Sequence, residues 1–363
     1  MASIVLGVGT AHTPLLILPP EMWEDYAARD RSNPELVFPP DGLAMSFSDA
    51  VDVCVPDEIQ HRPRDLELFR RQSEVSQAAL DELAAALQAA RPDVVVIISD
   101  DQDEWFYDSN MPAFSVYWGE SVPIIPRPEP TAGSSREIEM TKLVNAGYAA
   151  RHVDVPVDAK LGRHLIEYLI EHDFDISQMT YVEPSYGGRV ARHYPSASGG
   201  ELEWARTLDP RPVGLPHGYS FVVQRLLDKI DAPIVPIIQN TCYPPNAVTP
   251  RRCYALGEAL TGALAEWHDD IRVAVIASGG LSHFVVDEVI DRALLDALKA
   301  GDKDALVSLP RERLRSATSE CLNWVTLGAA MATTDLQMDV LAYEPVYRTE
   351  AGTGAGLGFA CWR

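Results

Sequence analysis

The sequence predicts an α/β fold, in which one large domain holds a central, mostly buried mixed β-sheet flanked by helices. Two observations favour this class. Short apolar runs that are typical of buried strands alternate along most of the chain with longer segments of helical periodicity. In addition, the 363 residues include no clear linker and no internal repeat, so we expect a single domain over residues 1–363.

The first third of the chain combines two strands with a long, irregular insertion. SIVLGVG (3–9) and VVVIIS (94–99) are apolar and β-branched, and they predict buried strands. Between them, residues 17–64 are rich in Pro, Asp and aromatic residues without a sustained period. Residues 64–93 have apolar positions three and four apart and predict a helix that Pro92 ends. We therefore expect a mainly helical insertion near residues 17–90.

The remaining two thirds continue the alternation of strands and helices. Apolar runs predict strands at 114–119, 122–126, 232–240, 271–278, 341–348 and 356–362. Helical periodicity predicts helices at 164–172, 220–230, 251–268, 292–302 and 312–332. Residues 183–212 are rich in Pro, Gly and Ser and predict a long loop.

Composition excludes several classes of partner. The chain carries 53 acidic and 30 basic residues, for a net charge of −23, so neither nucleic acid nor an anionic membrane is an expected partner. No apolar run is long enough to cross a bilayer, and the N-terminal segment lacks the basic start of a secretory leader. The five scattered cysteines lack CxxC spacing and indicate reduced thiols, so we expect a cytoplasmic protein.

Titratable residues follow the ends of several predicted strands, where sites collect in α/β folds. His12 follows the first strand, an acidic run (Asp100–Glu104) follows the strand at 94–99, and His283 follows the strand at 271–278. His217 and Glu320 lie at or in predicted helices. A single histidine there is more often structural than a ligand, so the joint pattern matters. We expect the other histidines to be surface residues (His61, His172, His268) or to have structural roles (His152, His164, His193).

Six segments, taken in order, resemble the class III extradiol ring-cleavage dioxygenases, in particular the type represented by the protocatechuate 4,5-dioxygenase β subunit. They are GVGTAHTPLL, VVVIISDDQDEWF, LPHGYSFVV, QNTCYPPNAVTPRRCYALGEAL, ASGGLSHF and SECLNW. The resemblance runs from residue 3 to about residue 360 and is interrupted by the insertion and the long loop. SGGLSH and the CYPP segment with RRCYALG are its most specific parts.

The resemblance implies a non-haem Fe(II) enzyme that opens an aromatic ring with O2, with Mn(II) as an alternative metal. Two histidines and one carboxylate hold such a metal and leave positions free for substrate and O2. His12 matches the first metal-binding histidine and Glu320 the carboxylate, with Trp324 in register. His283 matches the acid/base histidine and His217 a second pocket histidine. The segment expected to line the substrate pocket contributes Asn240, Thr241 and Tyr243.

The sequence departs from the family pattern at the second metal-binding histidine. The family has Asp-His-x-x-x-Phe, whereas residues 101–106 read Asp-Gln-Asp-Glu-Trp-Phe, which places Gln102 at the histidine position. Three interpretations are open. Gln102 could bind the metal through its amide oxygen, or a neighbouring carboxylate (Asp101, Asp103 or Glu104) could replace it. Alternatively, the metal is lost.

Three functions follow from these alternatives. The first is an extradiol-type dioxygenase acting on a catechol-like or aminophenol-like ring. The second is a metal-free or altered homologue that acts as a binding or structural subunit, and the third is an O2-independent metal-dependent hydrolase or lyase. We expect a homo-oligomer, with a small accessory subunit as a further possible partner, and the insertion could cap the pocket or form an oligomer interface. Five arginines could meet a substrate carboxylate: Arg127, Arg189, Arg192, Arg251 and Arg252.

Overall fold

The computed structural model describes residues 2–182, 188–208 and 213–363. The strands of this part of the chain are β1 (Ser3–Thr10), β2 (Val37–Phe38), β3 (Leu43–Ala44), β4 (Val94–Ser99), β5 (Phe114–Tyr117), β6 (Ser121–Ile124), β7 (Val153–Pro156), β8 (Ser177–Met179), β9 (Gly188–Pro195), β10 (Glu201–Leu208), β11 (Ile234–Gln239), β12 (Arg272–Ser278), β13 (Met338–Tyr347) and β14 (Gly354–Trp362). Its α-helices are α1 (Trp23–Ala27), α2 (Phe47–Val53), α3 (Asp57–Gln60), α4 (Leu66–Ala90), α5 (Ser135–Ala149), α6 (Ala159–Glu171), α7 (His217–Arg225), α8 (Pro250–Glu266), α9 (Glu288–Ala300), α10 (Lys303–Val307) and α11 (Cys321–Met331).

Eight strands form the central sheet, in the order β13-β14-β1-β12-β4-β11-β5-β8. The four middle strands, β1, β12, β4 and β11, are parallel. β14 joins β1 in the antiparallel sense, as β13 joins β14 and β5 joins β11. The sheet is therefore mixed, and the predicted α/β class is confirmed.

Both faces of the sheet are covered, as the apolar strands predict. Within β4, Val94, Val96 and Ile98 belong to one core cluster, together with residues of α6, α8, α9 and α11. Val95 and Ile97 point to the other face and join the cluster that includes residues of α4, α5 and α7. Successive strand residues face opposite sides, so a strand that lies between two helical layers must be apolar throughout.

The predicted insertion divides into two parts in the structure. Helix α4 is capped by the Asp65 side chain at its start and by Arg91, in the left-handed region (φ 44°), at its end. It contacts β1, β13 and β14 and forms part of the layer on one face of the sheet. The irregular part is thus confined to about residues 17–64, where α1, α2, α3 and the β2–β3 ribbon lie.

Two local predictions were wrong, and one helix was not predicted. The predicted loop at 183–212 contains an antiparallel hairpin of β9 and β10. Gly188 pairs with Leu208 at its open end, and Pro195 pairs with Glu201 next to the turn. Residues 183–187 and 209–212 lie outside the described part. The turn of the hairpin is rich in Ser and Gly, and most of the hairpin's side chains are polar, which hides the strand pattern. Helix α5 was not predicted, although Ser134 and Glu137 form a capping box. The predicted helix at 312–332 begins only at Cys321, after a 3₁₀ turn over Ser316–Glu320.

Two expectations from composition can be compared with the structure. All five cysteines are free thiols, and four of them are buried. Across the part of the chain that the structure describes, no helix combines the length and the apolar character that a membrane span requires.

The parallel strands place four connecting segments at one edge of the sheet. The carboxyl ends of parallel strands lie together, so the residues after β1, β4, β11 and β12 are neighbours although they are far apart in sequence. These segments carry His12, the acidic run 100–104, Asn240 and the Gly279–His283 loop. A functional site is therefore expected at this edge.

Candidate active site

Five side chains predicted from the sequence converge at this edge of the sheet. They line one cavity of about 530 Å³, and they are His12, Gln102, His217, His283 and Glu320. The tertiary structure therefore brings together residues from five separate segments of the chain.

His12 is held as a neutral imidazole with a defined tautomer. The Ser278 hydroxyl donates its single proton to the Gly218 carbonyl oxygen (2.6 Å), so it can only accept from His12 Nδ1, which lies 3.0 Å away. The proton is then on Nδ1, and Nε2 carries a lone pair. Burial lowers the pKa of His12 to about 4, which keeps the ring neutral. This is the state in which histidine binds a metal.

Glu320 is fully buried at the junction between the 3₁₀ turn and α11. Its Oε1 accepts from Gln102 Nε2 (2.5 Å) and faces His283 Nε2 (3.1 Å), and its Oε2 accepts from the Gly280 amide (2.7 Å). Burial alone would raise the pKa of Glu320, but His283, His12 and the amide outweigh it and lower the pKa to about 2. The side chain is therefore a carboxylate.

His283 faces an acceptor with each ring nitrogen. Nδ1 lies 2.8 Å from the Leu281 carbonyl oxygen, which can only accept, and Nε2 faces the Glu320 carboxylate. Both nitrogens therefore act as donors. Burial disfavours the charged ring, but Glu320 more than compensates and raises the pKa of His283. Thr318 fixes the backbone, because its hydroxyl accepts from the His283 amide (3.1 Å) and donates to the His283 carbonyl (2.8 Å).

A buried acid, Asp291, supports the loop that carries His283. The Ser282 amide (2.8 Å) and hydroxyl (2.6 Å) donate to its two oxygens, and the Tyr343 hydroxyl donates to Oδ2 (2.8 Å). Gly356 lies so close that an added Cβ would be 2.1 Å from Asp291 Oδ2. No sequence motif singled out this residue, because it lies on α9 while its side-chain partners come from the loop and from β13.

The stability of the fold should depend on the ionisation of Asp291. Burial raises its pKa from 3.8 to about 7, with the nearby Asp287 carboxylate adding to the effect, so the folded protein holds this proton more tightly than the unfolded chain. This contribution is complete below about pH 4 and is lost as the pH rises through about 7. We expect the unfolding free energy of the wild type, relative to Asp291→Asn, to fall over that range in urea titrations. A constant difference would contradict the assignment.

The His217 ring contacts the Glu104 carboxylate. Its Nδ1 lies 2.5 Å from Glu104 Oε1, and Arg127 donates to Glu104 Oε2 (2.9 Å). Burial alone would lower the pKa of His217, but Glu104 raises it; the same contact, with Arg127, lowers the pKa of Glu104 to about 2. The sequence interpretation had not paired these two residues.

Gln102 lies where the family resemblance places it, next to Glu320. Its amide nitrogen donates to Glu320 Oε1 and to Asp100 Oδ2 (3.3 Å), so the amide bridges two carboxylates. Burial and the Glu320 charge raise the pKa of Asp100 to about 7. Asn323 of α11 also donates to Asp100 (3.2 Å). The sequence had indicated Asp100 only as part of the acidic run and not as a candidate ligand.

The three carboxylates considered as alternatives to Gln102 have other partners. Both Asp101 oxygens accept from backbone amides of Glu104, Trp105 and Phe106, which closes the turn after β4. Asp103 forms a buried ion pair with Arg192 and also accepts from Arg206 (3.4 Å). Glu104 binds His217 and Arg127. Of the four candidates for this position, Gln102 is the residue that donates a hydrogen bond to Glu320.

Two of the candidate ligand atoms are placed so that they could bind one divalent metal ion. His12 Nε2 and Glu320 Oε2 are both lone-pair atoms and lie 3.7 Å apart. Two ligand atoms about 2.1 Å from one ion lie about 3–4 Å apart, so this spacing fits. Among the described residues no group of three or more His, Cys, Asp and Glu side chains is arranged to hold a metal. The Gln102 amide, which donates to Glu320, lies next to this pair of atoms.

Within the described part of the chain, the wall of this cavity does not include the predicted substrate residues. Asn240 accepts from the Tyr243 amide (2.9 Å) and donates to the Tyr243 carbonyl (2.7 Å), which shapes the loop after β11. Tyr243 packs under the Arg192 guanidinium, whose central carbon is 3.5 Å from the ring centroid. Thr241 lines a second cavity. Their role in substrate binding stays a prediction, without support from this geometry.

Of the five arginines considered for a substrate carboxylate, Arg127 lines the cavity. Arg192 is buried in its ion pair with Asp103, and Arg252 lies over the Phe174 ring, 4.5 Å from its centroid. Arg251 is exposed at the start of α8, and the side chain of Arg189 lies outside the described part. The remaining histidines are exposed, apart from half-buried His164, which bonds the Ala263 carbonyl (2.8 Å).

The insertion supplies part of the cavity wall. Four of its residues line the cavity, together with residues of α5 and with Arg206 of β10: Tyr26, Arg29, Asp30 and Asn33. Asp30 is buried and accepts two hydrogen bonds from the Arg348 guanidinium (3.0 and 3.1 Å), which hold its carboxylate in this wall. Residues of the insertion thus form part of the cavity wall, and both the cap role and the interface role stay predictions.

The fold and the cavity define a class of protein, and a family comparison identifies it. Residues 63–355, most of the chain, match the family described as the catalytic LigB subunit of aromatic ring-opening dioxygenase. The chain belongs to this family. The resemblance predicted from the sequence motifs is thereby confirmed.

Two dioxygenases are similar in sequence to parts of the chain. Over a stretch of 77 residues, the chain is 38% identical to a gallate dioxygenase of Pseudomonas putida. This stretch covers 20% of this chain and 22% of the relative. The chain is 27% identical over 213 residues to a 2,3-dihydroxyphenylpropionate/2,3-dihydroxicinnamic acid 1,2-dioxygenase of Comamonas testosteroni, covering 57% and 49% respectively. The matched regions thus span half or less of each relative.

Proposed function

We propose that the protein is an Fe(II)-dependent extradiol-type dioxygenase that opens a catechol-like or aminophenol-like ring with O2. The observation that carries this proposal is the pairing of the His12 Nε2 lone pair with the Glu320 carboxylate, 3.7 Å apart at the base of the cavity. Family membership and the names of the two dioxygenase relatives support the same reaction class. We place the activity in a single domain over residues 1–363.

In this proposal His12, Glu320 and Gln102 hold the metal, which is Fe(II) or, as an alternative, Mn(II). When bound, the metal supplies Lewis acidity and a common site for the two adjacent substrate oxygens and O2. Each protein residue has a separate task. Ser278 and Gly218 keep the His12 lone pair pointing into the cavity, and the Gly280 amide holds the Glu320 carboxylate in place.

The two other histidines are proposed to handle protons. His283 carries a proton on Nε2 at the edge of the cavity and can donate it to a developing oxyanion. His217 has its Nδ1 engaged by Glu104, which leaves Nε2 to accept a phenolic proton from the substrate. Two histidines in different environments would thus serve as acid and base in one pocket.

Reconstitution tests the proposed function directly. The purified protein is loaded with Fe(II) without oxygen and then mixed with aerated buffer and a panel of catechols, gallate, 2,3-dihydroxyphenylpropionate and aminophenols. We expect O2 uptake together with a ring-opened chromophore for at least one compound. Turnover without O2 consumption would instead favour a metal-dependent hydrolase or lyase.

A second candidate is a metal-free homologue that acts as a binding or structural subunit. The observation that favours it is the Gln102 amide, which already bridges Asp100 and Glu320 by hydrogen bonds. Metal analysis of protein purified without chelators separates the two candidates. Near-stoichiometric Fe or Mn supports the enzyme, and folded protein that neither retains nor binds these metals supports the subunit. Mass measurement in solution tests the proposed homo-oligomer and any accessory subunit.

The His283→Gln variant should separate proton transfer from metal binding. The amide can still donate to Glu320, but it cannot release a proton, so we expect kcat to fall by about 10²–10⁴-fold. Fe(II) affinity, measured by anaerobic calorimetry, should stay within about threefold of the wild type. The exposed His268 provides a matched control, His268→Gln, with unchanged kcat. An unchanged kcat in His283→Gln would exclude the acid/base role.

A further inference from the structure

Glu104 makes contacts that differ from those of a metal ligand. It lies in the turn after β4, two residues after Gln102, and is buried. One oxygen, Oε1, meets both the His217 ring at Nδ1 (2.5 Å) and the His217 backbone amide (3.1 Å). The other oxygen, Oε2, accepts from Arg127 Nη2 (2.9 Å). Both oxygens are thereby engaged by groups outside the His12–Glu320 pair.

The double contact with His217 fixes the ring in two ways. The backbone amide determines where the carboxylate lies relative to the start of α7, and the carboxylate then requires the proton on Nδ1. A carboxylate that holds the Nδ1 proton of a histidine sets the tautomer and the ring orientation, so Nε2 is the reactive nitrogen.

Neighbouring rings limit the remaining freedom of His217. The Tyr148 ring stands edge-on, 5.1 Å away at an interplanar angle of 76°, and the His12 ring lies 4.8 Å away at 89°. The Tyr148 hydroxyl donates to the His12 carbonyl (2.7 Å), so this side of the pocket is itself held in place. Packing therefore restricts ring rotation, while Glu104 determines which nitrogen bears the proton.

Arg127 completes the arrangement from the opposite side. Its side chain is about one-third exposed at the cavity wall (36%), and its guanidinium pairs with a carboxylate oxygen that would otherwise have no partner. Because Glu104 and Gln102 share one turn, the position that faces Glu320 and the position that holds His217 are set by the same backbone segment.

We propose that Glu104 is a positioning residue for the reaction: an Arg127–Glu104–His217 chain of hydrogen bonds holds the Nδ1–H tautomer of His217 and presents Nε2 to the substrate. The kinetic part of this inference rests on the proposed function, because it takes His217 as the base. The structural part, the tautomer and its dependence on Glu104, does not.

Proton NMR of the metal-free protein tests the structural part. The wild type should show a downfield, slowly exchanging His217 Nδ1–H resonance, assigned by its absence from His217→Gln. The resonance should move upfield in the isosteric Glu104→Gln variant and disappear in Glu104→Ala. A resonance that is missing from the wild type, or that persists unchanged in Glu104→Ala, would overturn the proposal. The isosteric variant keeps the test valid if the alanine variant is unstable.

Kinetics on a substrate found in the panel tests the catalytic part. We expect Glu104→Gln to lower kcat by about 10–100-fold, as loss of a group that orients a functional histidine does, with KM and Fe(II) affinity within about threefold of the wild type. Glu104→Asp should recover part of kcat. Glu288→Gln breaks a comparable Glu–Arg pair, in which Arg62 lies 2.6 Å from Glu288, and should leave kcat unchanged.

The two failures are distinguishable. If the wild type opens no ring but the Nδ1–H resonance behaves as expected, the proposed function fails, and the structural part of the inference, the dependence of the His217 tautomer on Glu104, stands. If the wild type is active and Glu104→Gln has an unchanged kcat, the positioning role fails and the proposed function stands.

Discussion

The Glu320→Gln variant is expected to bind Fe(II) at least about 100-fold more weakly than the wild type and to show no ring opening. Loss of a group that only orients a ligand already costs about 10–100-fold in metal affinity, and a lost carboxylate ligand costs more because its charge disappears as well. Glu320 is fully buried, and donors from Gln102, His283 and Gly280 point at it. The amide of glutamine would place its own donor against one of them.

Metal affinity should be measured by anaerobic calorimetry, with the far-ultraviolet spectrum and thermal unfolding as checks on the fold. Asp291→Asn is the matched control, because it also replaces a fully buried acid by its amide, but at a position that contacts Ser282 rather than Glu320. Its Fe(II) affinity should equal that of the wild type within about threefold. Equal Fe(II) affinity of Glu320→Gln and wild type would refute the metal assignment of Glu320.

The Gln102→His variant is expected to change metal affinity in the opposite direction. An imidazole would complete a set of two histidines and one carboxylate, the arrangement that binds non-haem Fe(II) with open positions. It would also remove the amide that now bridges Asp100 and Glu320. We expect Fe(II) affinity to rise by about 10–100-fold, with a corresponding rise in activity when iron is limiting.

Gln102→Leu provides the control for this second prediction. It has a similar volume and removes both the amide oxygen and the bridging donor. If the amide is a ligand in the wild type, Gln102→Leu should bind Fe(II) about tenfold more weakly. Equal affinity of the wild type and Gln102→Leu would show that the amide contributes no bond to the metal. No gain in Gln102→His would place the metal away from this position.

Most of the secondary structure could be predicted from the sequence, because burial on both faces imposes a continuous apolar run on a strand. VVVIIS forms β4 over the predicted residues, and the apolar stripe at 64–93 forms α4. Prediction failed where pairing or capping, rather than burial, selects the structure. The β9–β10 hairpin has mostly polar side chains, and α5 has a weak apolar face despite its capping box.

The site could be predicted in part. His12, His217, His283 and Glu320 were chosen because their segments resemble one family in order, and the structure places all four on one cavity. Asp291 and Asn323 were missed because each has an ordinary helical context and makes its site contacts only through distant segments. Asn240 and Tyr243 were assigned to the pocket by segment alone, whereas their side chains shape the loop itself.

By itself, then, the sequence determined the α/β class, the family and the residue types available for chemistry, since these depend on composition, periodicity and motif order. It also located the one departure, the glutamine at position 102. The tertiary structure decided which acid faces which histidine. Acids 101, 103 and 104 are equivalent in sequence, yet one closes a turn, one pairs with Arg192 and one holds His217. Such contacts form between residues 89 and 113 positions apart, or through backbone geometry within a turn, and no local pattern encodes their direction.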